Sequence, residues 1–288
     1  MDLVIKAPFM PENGVTISGE GFMTNPGGKG ANQAVAVSKL GGDAYMVGAV
    51  GKAFGSELKA TLGEYGVNTE FVKECEDISS GIAVIVVVEG DNRIILDSGA
   101  NNRVDVELID SAFSQASEGD YLICQLEIPQ ESIRYALKRA KELKMKTVLN
   151  PAPAVKLIDG ILENVDIFNT NQSETEFYTG IYPNDEKTSL CAAQRLEEMG
   201  VSTVLITLGA EGSCAINQGQ YFKVSGYKVD AIDTTAAGDT YIGAFVTALS
   251  EGLSIPDAMD LASKASALTV TKQGAQQAIP FRNELTKL

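Results

Sequence analysis

The 288-residue chain contains no histidine and no tryptophan. Without histidine, the Ser-His-Asp and Cys-His nucleophile systems and the H-E-x-x-H zinc site are excluded, so acid–base chemistry falls to carboxylate, Lys, Tyr or Cys. Cysteine is scarce: Cys75, Cys124, Cys191 and Cys214 lie far apart with no C-x-x-C pair. That spacing argues against a metal knuckle, a redox pair or a disulfide scaffold and predicts buried thiols. Positive charge is also in short supply, with 23 Lys and Arg against 38 Asp and Glu and a net charge of −15. Such a chain repels a phosphate backbone, so no nucleic-acid partner is expected, although a small anion needs only a local positive pocket. No apolar run reaches the roughly 18 residues that span a bilayer, so no membrane partner is expected either. The opening MDLVIKAPFMPENG lacks the basic flank and small-residue cleavage site of a secretory signal, and a cytoplasmic location is expected.

From about residue 25 onward, short apolar runs alternate with helix-period segments: AYMVGAV, SELKATLGEYG, YLICQLE, ESIRYALKRAKEL and TVLNPAP. This order reads as βαβ units. Ile133, Ala136, Leu137 and Ala140 fall at the i, i+3, i+4, i+7 spacing of one buried helix face. TVLITLG, Thr203 to Gly209, is apolar almost throughout, as a parallel strand covered on both faces would be. The expected fold class is α/β, a doubly wound, mostly parallel sheet flanked by helices, occupying 25–80 and 99–288. Residues 1–24 (DLVIKAP, GVTISG) and 81–98 (GIAVIVVV, RIILDS) are β-branched runs separated by turn residues with no helix between them. They are expected to form a small antiparallel flap over the mouth of the body. A doubly wound domain ordinarily opens on a buried strand, whereas this one opens in flap-like sequence, so residues are expected to be missing ahead of Met1.

Four stretches carry candidate chemistry. In DTTAAGDT, Asp233 to Thr240, a glycine and two alanines precede an apolar helix. Its N-terminal amides and dipole suit a transferring phosphoryl group, and Asp239 in the first turn is placed to accept a proton. An ordinary Asp cap after a glycine turn explains the same residues. In NPGGKGANQAVAVSKLGG, Asn25 to Gly42, Gly27, Gly28 and Gly30 let backbone approach a ligand. The spacing is neither G-x-x-x-x-G-K-[ST] nor G-x-G-x-x-G, and a glycine turn before a tightly packed helix is the plain alternative. In NTNQSE, Asn171 and Glu174 stand at a strand end, where a carboxylate could organise a hydrated Mg²⁺ or simply cap the next helix. ITLGAEG, Ile206 to Gly212, is a strand running into glycines, where nucleotides commonly sit.

Taken in this order, GGKGANQA, NPAP (Asn150 to Pro153), the N-x-x-E of Asn171 to Glu174, ITLG and DTTAAGDT resemble the ribokinase (PfkB) family of carbohydrate kinases along essentially the whole chain. The resemblance implies transfer of phosphate from ATP to the primary hydroxyl of a sugar, with Asp239 as base and the amides of Ala237 and Gly238 as anion hole. It matches Asp2, Gly28, Lys29, Asn32 and Glu127 to sugar contacts, and Asn171, Thr207, Gly209 and Gly212 to the nucleotide side. Glu174 would act on Mg²⁺ through its waters, while Asp233, Thr235 and the 270–278 loop, with Gly274, would hold the activating K⁺. GGKGANQA together with Asp2 favours D-ribose as acceptor. Deoxyribose, fructose or a nucleoside is the same-class alternative, and a sugar- or nucleotide-binding protein without turnover is the alternative of another class. A homodimer through the flap is implied, since pairing two copies hides an apolar face. Family members carry further residues ahead of the Asp2 position, including a first body strand and an Asn that contacts the sugar. Their absence would leave neighbouring backbone groups unpaired at about 1–3 kcal/mol each, so a mis-set start or a trimmed chain is expected.

Overall fold

Alternate residues along the central strands point to opposite faces, and helices cover both. In β9 (Ile167–Asn171) and β10 (Thr203–Thr207), Phe168, Val204 and Ile206 enter one apolar cluster while Ile167 and Leu205 enter the other. The period of two follows from strand geometry. In the computed structural model, which describes residues 1–287, the first cluster is closed by α4 (Gln130–Glu142) and α6 (Glu186–Glu197), and the second by α7 (Ala237–Ser250) and α8 (Ile255–Thr269). The expected face of α4 is the buried one: Ile133, Leu137 and Ala140 are each 0% exposed. Full burial of Phe168, Leu205 and Ile206 is worth roughly 1.5–3 kcal/mol per side chain, which fixes the strand register against both helix layers.

The main sheet has six strands in the order β12-β11-β10-β9-β8-β7, where β7 is Tyr121–Cys124, β8 Lys146–Leu149, β11 Ser213–Asn217 and β12 Gln220–Val224. Strands β7 to β10 run parallel, and β10 to β12 are antiparallel. TVLITLG is therefore parallel to its neighbour on one side only. Two further parallel strands, β3 (Gly48–Gly51) and β4 (Val72–Cys75), form a sheet of their own. Ala49 and Cys75 pack with Leu122 of β7 in one cluster closed by α3 (Val106–Phe113) and α4. The expected single sheet is thus divided into two hydrogen-bonded groups that share an apolar layer.

The four strands β1 (Asp2–Lys6), β2 (Glu20–Asn25), β5 (Ile82–Val88) and β6 (Asp91–Asp97) form a third sheet in the order β2-β1-β5-β6. Its outer pairings are antiparallel, but the central β1–β5 pairing is parallel, so the sheet is mixed rather than wholly antiparallel. The chain crosses the body between the two strands and re-enters in the same direction. GVTISG is not the second strand. The β1–β2 ladder ends at Lys6↔Glu20, and beyond it Pro8 diverts the first strand, so the β-branched residues before Glu20 have no partner to pair with. Of the four thiols, Cys75, Cys124 and Cys214 are buried as expected, whereas Cys191 on α6 is exposed. Among the described residues, no helix is long and apolar enough to cross a membrane.

Candidate active site

Two helices meet with their N-termini open. Helix α7 begins after Ala236, held at φ 60 in the left-handed region, and has no side-chain cap. A non-glycine residue there costs on the order of 1–2 kcal/mol. Ala237 N–H donates to Thr234 O at 3.2 Å. The N–H groups of Gly238 and Asp239 have no protein partner among the described residues. Helix α1 (Lys29–Lys39) begins after Gly28, at φ 97 and ψ 131, also without a side-chain cap. Lys29 N–H donates to Glu127 Oε2 at 2.9 Å.

Helix α1 holds the Asp239 carboxylate. Asn32 Nδ2 donates to Asp239 Oδ2 at 2.9 Å, and Gln33 Nε2 donates to Asp239 Oδ1 at 2.9 Å. All three side chains are buried. A carboxylate only accepts, so each amide must turn its NH₂ inward. For Asn32 this leaves Oδ1 buried with no hydrogen-bond partner, an acceptor that a ligand hydroxyl can satisfy. Asp2 lies beside the same opening: a Cβ on Gly27 would sit 2.3 Å from Asp2 Oδ2, so only glycine lets the carboxylate rest there.

The remaining candidates line up at the C-terminal ends of the parallel strands, where open α/β sheets bind ligands. Gln125 and Glu127 follow β7, and Asn150 follows β8. Asn171 ends β9 directly across from Thr207 at the end of β10. Asn171 and Glu174 form a capping box for α5 (Gln172–Thr179): Glu174 N–H donates to Asn171 Oδ1 at 2.8 Å and Asn171 N–H donates to Glu174 Oε2 at 2.9 Å. Among the described residues, Glu174 Oε1 keeps no protein partner. Thr207 Oγ1 is 3.5 Å from Thr170 O, a long contact that leaves its hydroxyl available. Gly209 and Gly212 bracket a 3₁₀ turn at φ 59 and 98. A Cβ on Gly212 would lie 2.1 Å from Val224 O. Below α7, Asp233 accepts from Thr235 N–H at 2.9 Å and Thr235 Oγ1 at 2.6 Å through Oδ1, and from Gly274 N–H at 2.9 Å through Oδ2. Asp233, Thr235 and Gly274 are thus brought together as one cluster.

The residues matched from 1 to 282 are those of the pfkB family carbohydrate kinases. The chain belongs to the pfkB family. This sugar kinase is 39% identical over 285 residues to the ribokinase of Haemophilus influenzae, with 98% of this chain and 93% of that protein covered. It is 40% identical over 293 residues to the ribokinase of Schizosaccharomyces pombe, covering 97% and 92% of the two chains. The structure of Arabidopsis thaliana ribokinase complexed with ribose and ATP superposes with a TM-score of 0.91 at 29% identity, covering 99% of this chain and 94% of that one.

In this pfkB kinase the motifs gave Asn32 but not the next residue. Gln33 stands in GGKGANQA as an ordinary helix position, and only packing against α7 reveals its contact with Asp239. Asn150 opens the NPAP motif, but its contact with Gln33, like that of Gln125, depends on strands far apart in sequence.

Burial pushes the carboxyls of Asp2, Glu127 and Glu174 above their ordinary range, with the charge of Asp239 adding to the rise in each. From the ordinary carboxylate value near 4 upward, these groups hold protons more readily in the fold than in the unfolded chain. Stability therefore falls as pH rises through that window. The carboxyl of Asp233, which burial raises but the Thr235 and Gly274 hydrogen bonds more than offset, is held low and titrates beneath it. Lys39, pushed down to about 8 by burial, titrates above it. The Met1 amine, which burial pushes down from its ordinary value, works in the opposite sense over the same range, so the prediction concerns Glu127 alone. Glu127→Gln is expected to raise the unfolding temperature of the ligand-free protein near pH 7 relative to that near pH 5, compared with wild type. An identical pH slope in wild type and variant would contradict this.

Proposed function

We propose that the protein transfers the γ-phosphoryl group of ATP to the primary 5-hydroxyl of D-ribose, giving ribose 5-phosphate and ADP. The observation that carries this reading is Asp239 itself. A buried carboxylate, gripped on both oxygens by α1, sits in the first turn of a helix whose Gly238 and Asp239 amides are free. The sugar hydroxyl donates its proton to Asp239, its oxygen attacks the γ-phosphorus, and the bond to the ADP oxygen breaks. Charge on the transferring group meets the Ala237 and Gly238 amides, which form the anion hole, and the positive end of the α7 dipole. Phosphoryl transfer needs chiefly such positioning and charge stabilisation, and a chain without histidine can supply both.

On the sugar side, Asp2, the Gly28 backbone, Lys29, Asn32 and Glu127 hold hydroxyls, with the unpartnered Asn32 Oδ1 as an acceptor. On the nucleotide side, Asn171, Thr207, Gly209 and Gly212 line the ends of β9 and β10. The free Glu174 Oε1 suits a metal ion kept largely hydrated, as Mg²⁺ prefers. The Asp233 carboxylate, held ionised, fits a monovalent cation together with Thr235 and Gly274. When bound, Mg²⁺ neutralises phosphate oxygens, and potassium adds positive charge beside the helix mouth. The test is a panel of D-ribose, 2-deoxyribose, fructose and nucleosides with MgATP. A kcat/KM highest for ribose supports the assignment, and a preference for another acceptor overturns it.

The four-stranded sheet acts in this reading as a lid and as the contact between two copies. Residues 1–24 and 81–98 supply it, with the 25–80 and 99–288 portions as body. Val4, Met23, Ile85 and Ile94 stand in one cross-strand row on the face that carries Asp2, while Leu3, Val84 and Ile95 share the other face. Phe22, Ile94, Ile95 and Leu96 are each more than half exposed. Ile94 and Leu96 belong to the Asp2 face and Phe22 and Ile95 to the other, and a second copy laid on one face would cover the pair it carries. Light scattering at micromolar concentration is expected to give twice the chain mass, and a monomeric mass would contradict the pairing.

A further inference from the structure

We propose that Gln33 is a positioning residue for Asp239 and that Gln125 sets the direction its amide faces. The inference rests on the reading of Asp239 as the proton acceptor. Gln33 is 1% exposed, and all of its polar contacts are to other site side chains. Its Nε2 lies 2.9 Å from Asp239 Oδ1 and 3.3 Å from Asn150 Oδ1, and its Oε1 accepts from Gln125 Nε2 at 2.5 Å.

The orientations follow from one another. Asp239 can only accept, so Gln33 must present Nε2 to it, and Oε1 is then forced toward Gln125. Gln125 answers with its own NH₂. Asn150, accepting through Oδ1, turns its Nδ2 to Asn169 O at 3.1 Å, and Asn169 Nδ2 donates to Leu205 O at 3.2 Å. A line of oriented amides thus runs from the β10 backbone, across the ends of β9 and β8, to one oxygen of Asp239. Asn32 fixes the other oxygen from the same helix. With one hydrogen bond on each oxygen, the plane of the carboxylate is set and each oxygen keeps a lone pair for a substrate hydroxyl. Both polar atoms of the Gln33 side chain are satisfied, the condition on which a buried polar group holds geometry. Gln33 itself reaches Asp239 rather than the open side of the cleft, so its removal acts on turnover through the carboxylate.

The experiment compares wild type, Gln33→Met, Gln33→Glu and Gln125→Met as full chains. It reads kcat and sugar KM with MgATP across pH, beginning with D-ribose, together with a crystal structure of Gln33→Met. In Gln33→Met, kcat is expected to fall at least about tenfold while sugar KM stays within about threefold, since a displaced reacting group costs rate before binding. In Gln125→Met, whose side chain is only half buried, a smaller fall of about threefold is expected in kcat alone. Gln33→Glu places a second carboxylate against Asp239, and two such groups share a proton. The acid limb of its kcat profile is therefore expected to move to higher pH by about one unit or more. A purely structural role would not move that limb. Wild-type kcat in Gln33→Met, or an unmoved profile in Gln33→Glu, would overturn the proposal. If Gln33→Glu does not fold, the two methionine variants and the structure decide. Should the wild type phosphorylate no sugar, the kinase reading of the site fails separately. The positioning claim then rests on the Gln33→Met structure, where the Asp239 carboxylate is expected to turn about its remaining bond to Asn32 and an unchanged rotamer would refute it.

Discussion

Replacing Asp239 by asparagine is expected to lower turnover by at least about a hundredfold while sugar and MgATP binding change little, because a positioned base contributes about 10²–10⁴-fold. Asparagine has nearly the same shape and keeps an acceptor oxygen, but it cannot take the proton of the attacking hydroxyl. It also brings an NH₂ group against Asn32 or Gln33, both of which now donate to that position. One of these amides must flip or lose its bond. Such a flip leaves the α1–α7 contact in place, so binding survives while proton transfer does not. Equilibrium binding and steady-state kinetics on the same preparation check the separation. Near-normal turnover would remove Asp239 from the role of base.

The second large effect is expected one turn further along α7. Gly243 lies four residues after Asp239, and a Cβ there would sit 2.5 Å from Ala36 Cβ, 2.8 Å from Gln33 O and 3.1 Å from Val37 N. Helix α1 therefore rests directly on the backbone of α7 at the level that delivers Asn32 and Gln33. Gly243→Val must push the helices apart. Overpacking of this kind costs typically about 1–3 kcal/mol, and a displacement on the order of 1 Å at a reacting group can cost about a hundredfold in rate. Lower thermal stability with kcat reduced about a hundredfold and nucleotide binding nearly unchanged is the expected pattern. Gly243→Ala should fall between valine and wild type. A fully active, fully stable valine variant would show that the helix spacing does not set the site.

Much of this arrangement is legible in the sequence. The buried face of α4 could be read from Ile133, Leu137 and Ala140, because helical period and burial are local. The open mouths of α1 and α7 were marked by Gly28 and by Ala236 to Gly238, since absent side chains are visible in a sequence. What could not be read depended on partners distant in the chain. The parallel pairing of β1 with β5 requires a crossover whose direction no local pattern encodes. GVTISG has strand propensity but no neighbour beyond Pro8, and the pairing moved to Glu20–Asn25. The β11–β12 hairpin made β10 parallel on one side only, which apolar composition cannot distinguish. Gln33 and Gln125 have no special spacing, and their role exists only because α1, β7 and α7 converge. The NTNQSE stretch was ambiguous between cap and ligand site. It forms the cap and still leaves one Glu174 oxygen free.

The most direct measurement is D-ribose-dependent formation of ADP from MgATP by this 288-residue chain, with and without potassium. Turnover that requires ribose and rises with potassium is predicted. Absence of ribose-dependent ADP formation in a folded protein that binds MgATP would contradict the account.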